Sequence, residues 1–515
     1  MKHSELGSVQ STTSMPTAYH PRVIVTILAF AALSGLWFGA WRLGQWSVVD
    51  ARPDFGEPPA TTNEPQYQTL EDGAVIFANG EAVLVEREKL AAAGEDFVFA
   101  DLAAMEIVVW REGAPAKAFP IKARGEEGSF FETPNGVYKI RSREENHFSS
   151  IGEVWMPWSM HFYGNYFIHG WPYYPSGAPV ADTYSGGCIR LSTADSEELF
   201  RETKNGMPVL VYAGHATPAD AGAYFRRVGT DGRPAPAPAI SAPSVLAVDF
   251  ETGRVLFERE REAVRPIASV TKLMTALVAI ESINRFKEIR IPANALDYPG
   301  HVQGIEAGEI FRSQDLLYPL LLESSNDVAE LYPRHGWRFV DTMNQKAAAI
   351  GMHRTTFADA SGIGAQNVST AEDIFKLLRF LSQHKKPIFD IAALREKSIT
   401  SVNGERYTWI NGNWRDDERF LGGKAGQSSA AGQTLAGVFR VRLSEGGTRS
   451  VAIIVLGSQD RTRDVEHVID YLEENYVYGT VFAGDEPAAA PVRTGAAIYQ
   501  SIGNGENIIE EQPAD

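Results

Sequence analysis

The sequence predicts a multidomain protein with an apolar helix near its N-terminus, then a mostly β domain, then an α/β domain with a helical subdomain. Three observations predict this arrangement. The chain has 515 residues, which at roughly 150 residues per domain leaves room for several domains. Residues 23–41 carry no charge. A Pro- and Ala-rich break at 229–243 separates short apolar runs typical of strands from longer runs with helical spacing.

Composition excludes some classes of function. The chain has 48 Lys and Arg against 65 Asp and Glu, a net charge of −17. No concentrated basic patch is visible, which argues against a protein that binds nucleic-acid phosphates. The single cysteine, Cys188, cannot form an internal disulfide, and no Cys and His cluster suggests structural zinc. Cys188 is therefore either a small buried residue or a nucleophile.

The apolar run at 23–41 is 19 residues long, close to the length of about 20 that spans a bilayer as a helix. A secretory signal would have a shorter apolar core and an A-x-A cleavage site. A buried soluble helix is the other alternative, but this run is apolar on every face. We expect an uncleaved signal anchor, with a cytoplasmic tail at 1–22 and the bulk of the chain outside the cytoplasm.

Pro- and Gly-rich segments mark the remaining boundaries. We expect a linker at 42–66, a first domain at 67–214, and a Pro/Ala linker at 215–243. A second domain follows at 244–480. From 481 to 515 the chain is acidic and rich in Ala, Gly and Pro, which predicts a disordered tail.

The first domain has the pattern of strands and hairpins. Short apolar runs at 82–86, 97–100 and 107–110 are separated by charged or Gly-containing turns. These runs predict three strands of a mostly β domain.

The lone cysteine lies in a distinctive sequence. Thr-Pro-Asn-Gly occupies 133–136, His169 precedes a glycine, and Ser-Gly-Gly-Cys-Ile-Arg occupies 185–190. Glycines beside a thiol let backbone N–H groups approach a bound carbonyl, as an oxyanion hole requires, and a histidine can activate the thiol. Taken alone, a cysteine in apolar surroundings is as well explained as inert core.

The combination of these motifs resembles the L,D-transpeptidase catalytic domain. The resemblance implies that Cys188 is the nucleophile that attacks a peptidoglycan stem peptide and holds it as a thioester, with His169 as its base. It also implies that Arg190 and Ser185 order the site or bind substrate, and that amides near Gly187 stabilise the oxyanion. One position departs from the family pattern, because the usual histidine two residues before the cysteine is Gly186. The resemblance then requires another source for its contact, and His161 or a backbone carbonyl is the candidate.

The second domain opens with a predicted hairpin at 245–257, followed by the segment Ser269-Val-Thr-Lys272 at the start of an apolar helix. Serine and lysine three residues apart share one helical face, so the amine can reach the hydroxyl. Burial that lowers the lysine pKa would make the amine a base. The motif alone is weak, since a serine at a helix start is most often a cap.

Two further motifs follow in order, Ser324-Ser-Asn326 and Lys424-Ala-Gly426. With Ser269 and Lys272 they resemble the S-x-x-K, S-x-N and K-T-G set of penicillin-recognising serine peptidases, which have a serine β-lactamase/transpeptidase-like fold. Residues 357–364 and 369–373 are similar to the D-alanyl-D-alanine carboxypeptidase branch of that family.

This second resemblance implies that Ser269 is acylated and that Lys272 is its base. Ser324 and Asn326 would relay protons and hold the substrate amide, while Lys424, with Gly426 beside it, would attract the terminal carboxylate.

The threonine of K-T-G is Ala425 here, so binding of a free D-Ala terminus loses a hydroxyl that Ser428 could replace. Without a replacement, an endopeptidase or a weakened enzyme is favoured. A β-lactamase is disfavoured because no E-x-x-L-N element lies between Asn326 and Lys424.

Together the resemblances imply a single-pass membrane protein with both catalytic domains on the cell-wall side, acting on peptidoglycan stem peptides. A D,D-carboxypeptidase would make the tetrapeptide that an L,D-transpeptidase uses. They imply inhibition by β-lactams, no metal or organic cofactor and no nucleic-acid partner. A wall-binding scaffold with one or both sites inactive remains the alternative.

Overall fold

We describe a computed structural model of the chain, which covers residues 74–76, 80–181, 185–214, 222–228, 235–295, 305–414, 417–443, 447–480 and 498–501. All of these residues belong to one compact unit, Pro58–Asp515. Among them, none of the helices has both the length and the apolar character needed to cross a bilayer. The predicted anchor at 23–41 lies outside the described residues.

The first domain consists of two sheets and two helices. In chain order the elements are β1 (Val75–Ile76), α1 (Glu81–Ala92), β2 (Phe97–Asp101), β3 (Glu106–Arg111), β4 (Ala114–Pro120), β5 (Gly136–Lys139), β6 (Ser142–Ser149), β7 (Val154–Tyr163), β8 (Tyr166–His169), β9 (Ile189–Arg190), α2 (Thr193–Glu202) and β10 (Pro208–Tyr212). One sheet has the order β1-β5-β10-β2-β3-β4 and the other β6-β7-β8-β9. Apolar residues of both sheets, such as Val98, Ile168 and Val209, share one core.

The strands predicted at 97–100 and 107–110 are confirmed as parts of β2 and β3, but the strand predicted at 82–86 is wrong. That run belongs to helix α1. The Val-Leu-Val sequence is followed by Glu, Arg, Lys, Leu and Ala, which all favour helix, and within α1 only Val83 is fully buried. Helix propensity over the longer segment therefore outweighs the short β-branched run.

Strands β8 and β9 bring together the two candidate residues of the first domain. They pair in parallel, with His169 opposite Arg190. Cys188 directly precedes β9, so the 19 positions that separate it from His169 in sequence are closed by this pairing.

The second domain packs one antiparallel sheet between helices. Including the segments that flank it, its elements are β11 (Gly222–Val228), β12 (Ser244–Asp249), β13 (Val255–Arg259), β14 (Arg265–Pro266), α3 (Lys272–Ser282), β15 (Glu288–Arg290), β16 (Ile310–Arg312), α4 (Leu317–Leu322), α5 (Asn326–Leu331), α6 (Phe339–Ala349), β17 (Val368–Ser369), α7 (Ala371–His384), α8 (Lys386–Ala393), β18 (Glu396–Thr400), β19 (Arg406–Ile410), β20 (Phe420–Ser428), β21 (Gly432–Arg442), β22 (Thr448–Ser458), α9 (Arg461–Asn475), β23 (Tyr476–Thr480) and β24 (Ile498–Ser501). Short 3₁₀ turns occupy Ala268–Thr271, Ala293–Ala295 and Tyr332–Arg334.

The sheet order β13-β12-β22-β21-β20 confirms the predicted hairpin at 245–257. Its two faces bury different apolar clusters. One packs against α9 and the other against the helical part that contains α3 and α7. The mostly β domain and the α/β domain with a helical subdomain are thus observed in the predicted order.

Two strands lie in segments predicted as linker and disordered tail. Residues 222–228 form β11, which pairs antiparallel with both β23 and β24, and β24 lies at 498–501. Tyr224 is buried in the core beside α9. The short strands lie within Pro-, Ala- and Gly-rich sequence, so composition over a long window missed them.

Buried charges join the two domains. We call the group formed by Glu281, Lys346, Lys385, Tyr163 and Tyr166 the interdomain cluster. The Lys346 ammonium lies 2.8 Å from the Glu281 carboxylate and donates to the Tyr163 hydroxyl at 2.9 Å. Lys385 donates to the Tyr166 hydroxyl at 2.7 Å and to two backbone carbonyls of the first domain. These contacts bring the end of α3, which carries Glu281, against the domain that holds Cys188.

Candidate functional sites

Cys188 and His169 line the same cavity, whose volume is 370 Å³. The thiol is buried, with 9% of the residue exposed, and its Sγ lies 3.5 Å from the backbone oxygen of Asn165. Both candidate residues of the first domain therefore face a space large enough for part of a peptide.

The hydrogen bond made by His169 fixes which nitrogen can act as a base. Its Nδ1 lies 2.6 Å from the backbone oxygen of Gly170. A carbonyl oxygen only accepts, so Nδ1 carries the proton and Nε2 keeps the lone pair. The imidazole is thus held in a form that can take a proton from a thiol.

Two hydroxyls hold the loop that carries Cys188. Thr133 Oγ1 donates to the Gly187 carbonyl at 2.7 Å, and Ser185 Oγ donates to the Cys188 carbonyl. Gly187 has a φ of 99°, and a Cβ there would lie 2.3 Å from the Tyr166 ring. A glycine is therefore required at this position. Stabilisation of an oxyanion by the amides near Gly187 stays a prediction.

Burial keeps both reacting groups neutral at rest. It raises the pKa of the Cys188 thiol to about 11 and lowers the pKa of His169 to about 3. Arg190 also lines the cavity, and its positive charge opposes the rise at Cys188. The resting site holds a thiol and a neutral imidazole rather than an ion pair, so the proton must move when substrate binds.

There is room for a side chain at Gly186, where the family pattern has a histidine. A Cβ on Gly186 would meet no heavy atom within 4 Å, and Gly186 lines the cavity. His161 does not replace the lost side chain, because it is absent from the cavity lining among the described residues and its Nε2 donates to the Gly164 carbonyl at 2.8 Å. His147 does line the cavity and stacks on Phe167, with 4.7 Å between ring centroids. Sequence inspection did not identify His147.

In the second domain, the nucleophile candidate lies in a constrained turn. Ala268 has a φ of 48°, and Ser269 follows in the 3₁₀ turn that leads into α3. Lys272 begins α3 and is fully buried, with its Nζ 3.0 Å from Ser269 Oγ. The predicted pairing on one helical face is observed.

The other two contacts of Lys272 direct its lone pair. Nζ lies 2.7 Å from Asn326 Oδ1 and 2.6 Å from the Ser361 carbonyl. Both oxygens can only accept, so a neutral amine donates its two hydrogens to them. The lone pair then faces Ser269, whose hydroxyl can donate to it. The role of Ser361, within the 357–364 segment, was not identified from sequence.

The surroundings of Lys272 shift its pKa to near neutral pH. Burial lowers the pKa of Lys272 to about 7, against the opposing charges of Asp359 and Glu330. A lysine with that pKa is substantially neutral at pH 7 and can serve as a general base.

Ser324 and Asn326 lie where α4 gives way to α5. Ser324 has a φ of 62°, a backbone conformation uncommon for serine. The Ser325 hydroxyl between them caps α5 by accepting from the Val328 amide at 3.1 Å. The turn thereby directs Asn326 toward Lys272, whereas the proton relay assigned to Ser324 stays a prediction.

Lys424 and Gly426 lie on β20 beside the serine. The Lys424 ammonium donates to Asn413 Oδ1 and, at 2.8 Å, to the Ala425 carbonyl. Burial lowers the pKa of Lys424 well below its usual range. A Cβ on Gly426 would lie 2.7 Å from the Ser269 nitrogen, so β20 passes directly against the nucleophile's backbone.

The surroundings of Ala425 differ from those of its neighbours. Its side chain joins the apolar cluster that packs against α9. Ser428 shares the other strand face with Lys424 and Gly426 by alternation, and its hydroxyl accepts from the Ala431 amide at 3.1 Å. Arg461 donates to the Gly426 carbonyl at 3.0 Å. Asn413 and Arg461 had no motif that could identify them, because each reaches the site from a distant segment.

Within the part of the chain that the structure describes, no group of three or more His, Cys, Asp or Glu side chains could hold a metal ion. The geometry groups the candidate residues into two sites, a serine beside a lysine and a cysteine that shares a cavity with a histidine.

Comparisons with known proteins agree with both sites. Residues 95–211 match the L,D-transpeptidase catalytic domain, and residues 232–459 match the D-alanyl-D-alanine carboxypeptidase family. The chain belongs to the D-alanyl-D-alanine carboxypeptidase family through its second domain, and its first domain matches the family model of the L,D-transpeptidase catalytic domain.

Individual relatives cover the second domain. A D-alanyl-D-alanine endopeptidase of Escherichia coli is 27% identical over 251 residues, 47% of this chain and 80% of the relative. A D-alanyl-D-alanine carboxypeptidase of Mycobacterium tuberculosis is 30% identical over 234 residues, 43% of this chain and 77% of the relative. The crystal structure of a D-alanyl-D-alanine carboxypeptidase from Mycobacterium tuberculosis is 25% identical, covering 46% of this chain and 92% of that chain with a TM-score of 0.41.

Acylation of Ser269 by a penicillin should depend on the protonation of Lys272. Because the neutral amine is the base and its pKa is about 7, the acylation rate constant should rise as pH increases through about 7 and level off above it. Intact-mass measurement of the adduct against time gives the profile. The same profile in Lys386→Ala, which removes an exposed lysine, is the control, and a rate independent of pH would contradict a lysine base.

Alkylation of Cys188 should show an unactivated thiol in the absence of substrate. With a pKa of about 11, the thiolate fraction rises about tenfold per pH unit, and the rate with iodoacetamide should follow it from about pH 7 to about pH 10. Since Cys188 is the only cysteine, intact mass reports one site, with Cys188→Ser as the blank. A plateau below about pH 8 would show a preformed thiolate–imidazolium pair instead.

Proposed function

We propose that the chain is a bifunctional peptidoglycan-remodelling enzyme. Ser269 would remove the terminal D-Ala of pentapeptide stems, and Cys188 would use the resulting tetrapeptide as acyl donor for L,D-transpeptidation. The observation that carries the proposal is the 3.0 Å contact between Lys272 Nζ and Ser269 Oγ, in a chain whose Cys188 lines a cavity together with His169. The two family matches support the same pairing of activities.

In the serine reaction, Lys272 takes the hydroxyl proton as Ser269 Oγ attacks the peptide carbonyl. The oxyanion forms beside the Ser269 amide and β20, the bond to D-Ala breaks with return of the proton to its nitrogen, and water then releases the acyl group. In the cysteine reaction, His169 Nε2 takes the thiol proton as Cys188 Sγ attacks a peptide carbonyl of the stem. The C–N bond of that peptide then breaks, its amine leaves with the proton from His169, and the acyl group stays on Cys188 as a thioester. An amine acceptor then resolves the thioester.

The membrane is part of the proposal. A signal anchor at 23–41 would hold both domains on the wall side of the cell membrane and keep the product of one site near the other. The uncharged run of 19 residues supports it. Loss of the chain from the membrane fraction when it begins at residue 67 is the check, and unchanged membrane association would refute the anchor.

The coupling of the two sites is tested with purified protein and defined stem peptides, with products followed by mass spectrometry. Given pentapeptide, Ser269→Ala should reduce cross-linked product to background because no tetrapeptide forms. Given tetrapeptide, the same variant should match the unmodified protein. Cys188→Ser is the matched control, since it should release D-Ala from pentapeptide yet form no cross-link.

An unchanged cross-link yield from pentapeptide in Ser269→Ala would refute the coupling. Absence of every product, and of β-lactam adducts, from the unmodified protein would leave the wall-binding scaffold.

A D,D-endopeptidase is the second candidate for the serine site. It is favoured by Ala425, which removes the hydroxyl expected to bind a free terminal carboxylate, and by the similarity to a D-alanyl-D-alanine endopeptidase. Under this alternative the second domain would cut cross-links that end in D-Ala rather than trim pentapeptide.

Removing the hydroxyl on the strand face of Lys424 and Gly426 separates the two candidates. Ser428→Ala should lower the ratio of pentapeptide to cross-linked dimer cleavage by about tenfold, the effect of one lost hydrogen bond of about 1.5 kcal/mol. Ser428→Thr keeps a hydroxyl at this position and should not change the ratio. Equal ratios in the alanine and threonine variants would show that position 428 does not select the substrate terminus.

A further inference from the structure

The cavity of Cys188 has a wall that belongs to the other domain. Besides first-domain residues, it is lined by Ile280, Glu281 and the segment Ile283–Phe286, at and just beyond the end of α3. The enzyme's cysteine site is thus built from both domains, although all motif residues of that site lie in the first.

Direct contacts hold this wall against the nucleophile. Asn284 Nδ2 donates to the Ile151 carbonyl at 2.7 Å, and Asn165 Nδ2 donates to the Glu281 carbonyl. Asn165 is also the residue whose backbone oxygen accepts from Cys188 Sγ. A single residue therefore contacts both the thiol and the second domain.

The wall carries a positioned cation. The Arg285 guanidinium lies 4.7 Å from the ring centroid of Phe131, which belongs to the first domain, and 4.4 Å from that of Phe286. Contact with two aromatic faces restricts the plane of the guanidinium. All three residues line the cavity.

The charges of the cavity favour an anion. Glu281 is the carboxylate in the lining, and Lys346 neutralises it at 2.8 Å. Arg190 and Arg285 are the arginines of the lining, and His147 and His169 are its histidines. A planar guanidinium on a cavity wall fits a carboxylate in a bidentate geometry.

We propose that Arg285 of the serine-peptidase domain binds a carboxylate of the stem peptide that Cys188 attacks, so that the second domain sets the specificity of the first. This inference rests on the proposed function for its ligand. Binding and turnover are therefore measured separately, so that each can fail alone.

The experiment measures binding of a tetrapeptide stem by calorimetry to the full chain carrying Cys188→Ala and Ser269→Ala, which cannot turn the peptide over. The same peptide with its carboxylates amidated is the second probe. We expect amidation to weaken binding about tenfold to a hundredfold, the effect of one charge-assisted bidentate contact. Adding Arg285→Ala should weaken binding of the free-acid peptide by the same factor and reduce the difference between the two peptides accordingly.

Matched variants separate recognition from folding. Lys287→Ala removes an exposed cation two residues away that does not line the cavity, and it should bind both peptides as the parent does. Arg285→Lys keeps the charge but loses the planar fork, so its preference for the free acid should be intermediate. If Arg285→Ala does not fold, as judged by thermal melting, the lysine variant carries the test.

Each outcome decides the inference. Carboxylate-dependent binding that requires Arg285 supports it, even if the unmodified protein forms no cross-link and the proposed function fails. Binding that is equal with and without Arg285, or a free-acid preference of unchanged size in Arg285→Ala, overturns it. Failure of the tetrapeptide to bind the parent at all also overturns it.

Discussion

The largely buried carboxylate of Glu281 is the centre of the interdomain cluster. Its side chain is 12% exposed, while those of Lys346 and Lys385 are 3% and 0% exposed. Buried charges are stable only when paired and hydrogen-bonded, and removing one partner of a buried pair costs about 3–5 kcal/mol. Lys346 also donates to the Tyr163 hydroxyl, and Lys385 donates to the Tyr166 hydroxyl and to two carbonyls of the first domain. Each domain therefore satisfies polar groups that the other buries.

Burial controls both nucleophiles, with opposite consequences. At the serine site it lowers the pKa of Lys272 to about 7 and prepares a base. At the cysteine site it raises the pKa of Cys188 to about 11 and lowers that of His169 to about 3, so neither group is ionised at rest. The same desolvation disfavours charge in every case, but the serine mechanism needs a neutral amine whereas the cysteine mechanism needs a thiolate. At the serine site, the neutral amine that the proposed mechanism needs is present before substrate binds. At the cysteine site, the thiol has to lose its proton after substrate binds.

The sequence predicted those parts of the sites that local spacing determines. Ser269 and Lys272 meet because three residues make almost one helical turn, and the glycine beside Cys188 is required by a positive φ. Asn413 and the Glu281–Lys346 pair could not be predicted, because their partners lie in distant segments and each residue type is common on surfaces. His161 was the wrong choice since its ring is committed to a local carbonyl, whereas His147 reaches the cavity from a neighbouring strand. The strands at 222–228 and 498–501 depend on pairing between segments far apart in the chain.

Helix α3 has 11 residues and so is about 16 Å long. Lys272, which contacts Ser269, begins it, while Glu281 near its end lines the cavity of Cys188. A change in its length or tilt would move residues at both sites. The two domains therefore cannot be exchanged for homologous ones as independent modules: a replacement second domain would have to reproduce the end of this helix as well as its own catalytic residues. Selection on either site would then constrain the same stretch of sequence. The fusion therefore makes the two domains share structure as well as a covalent link.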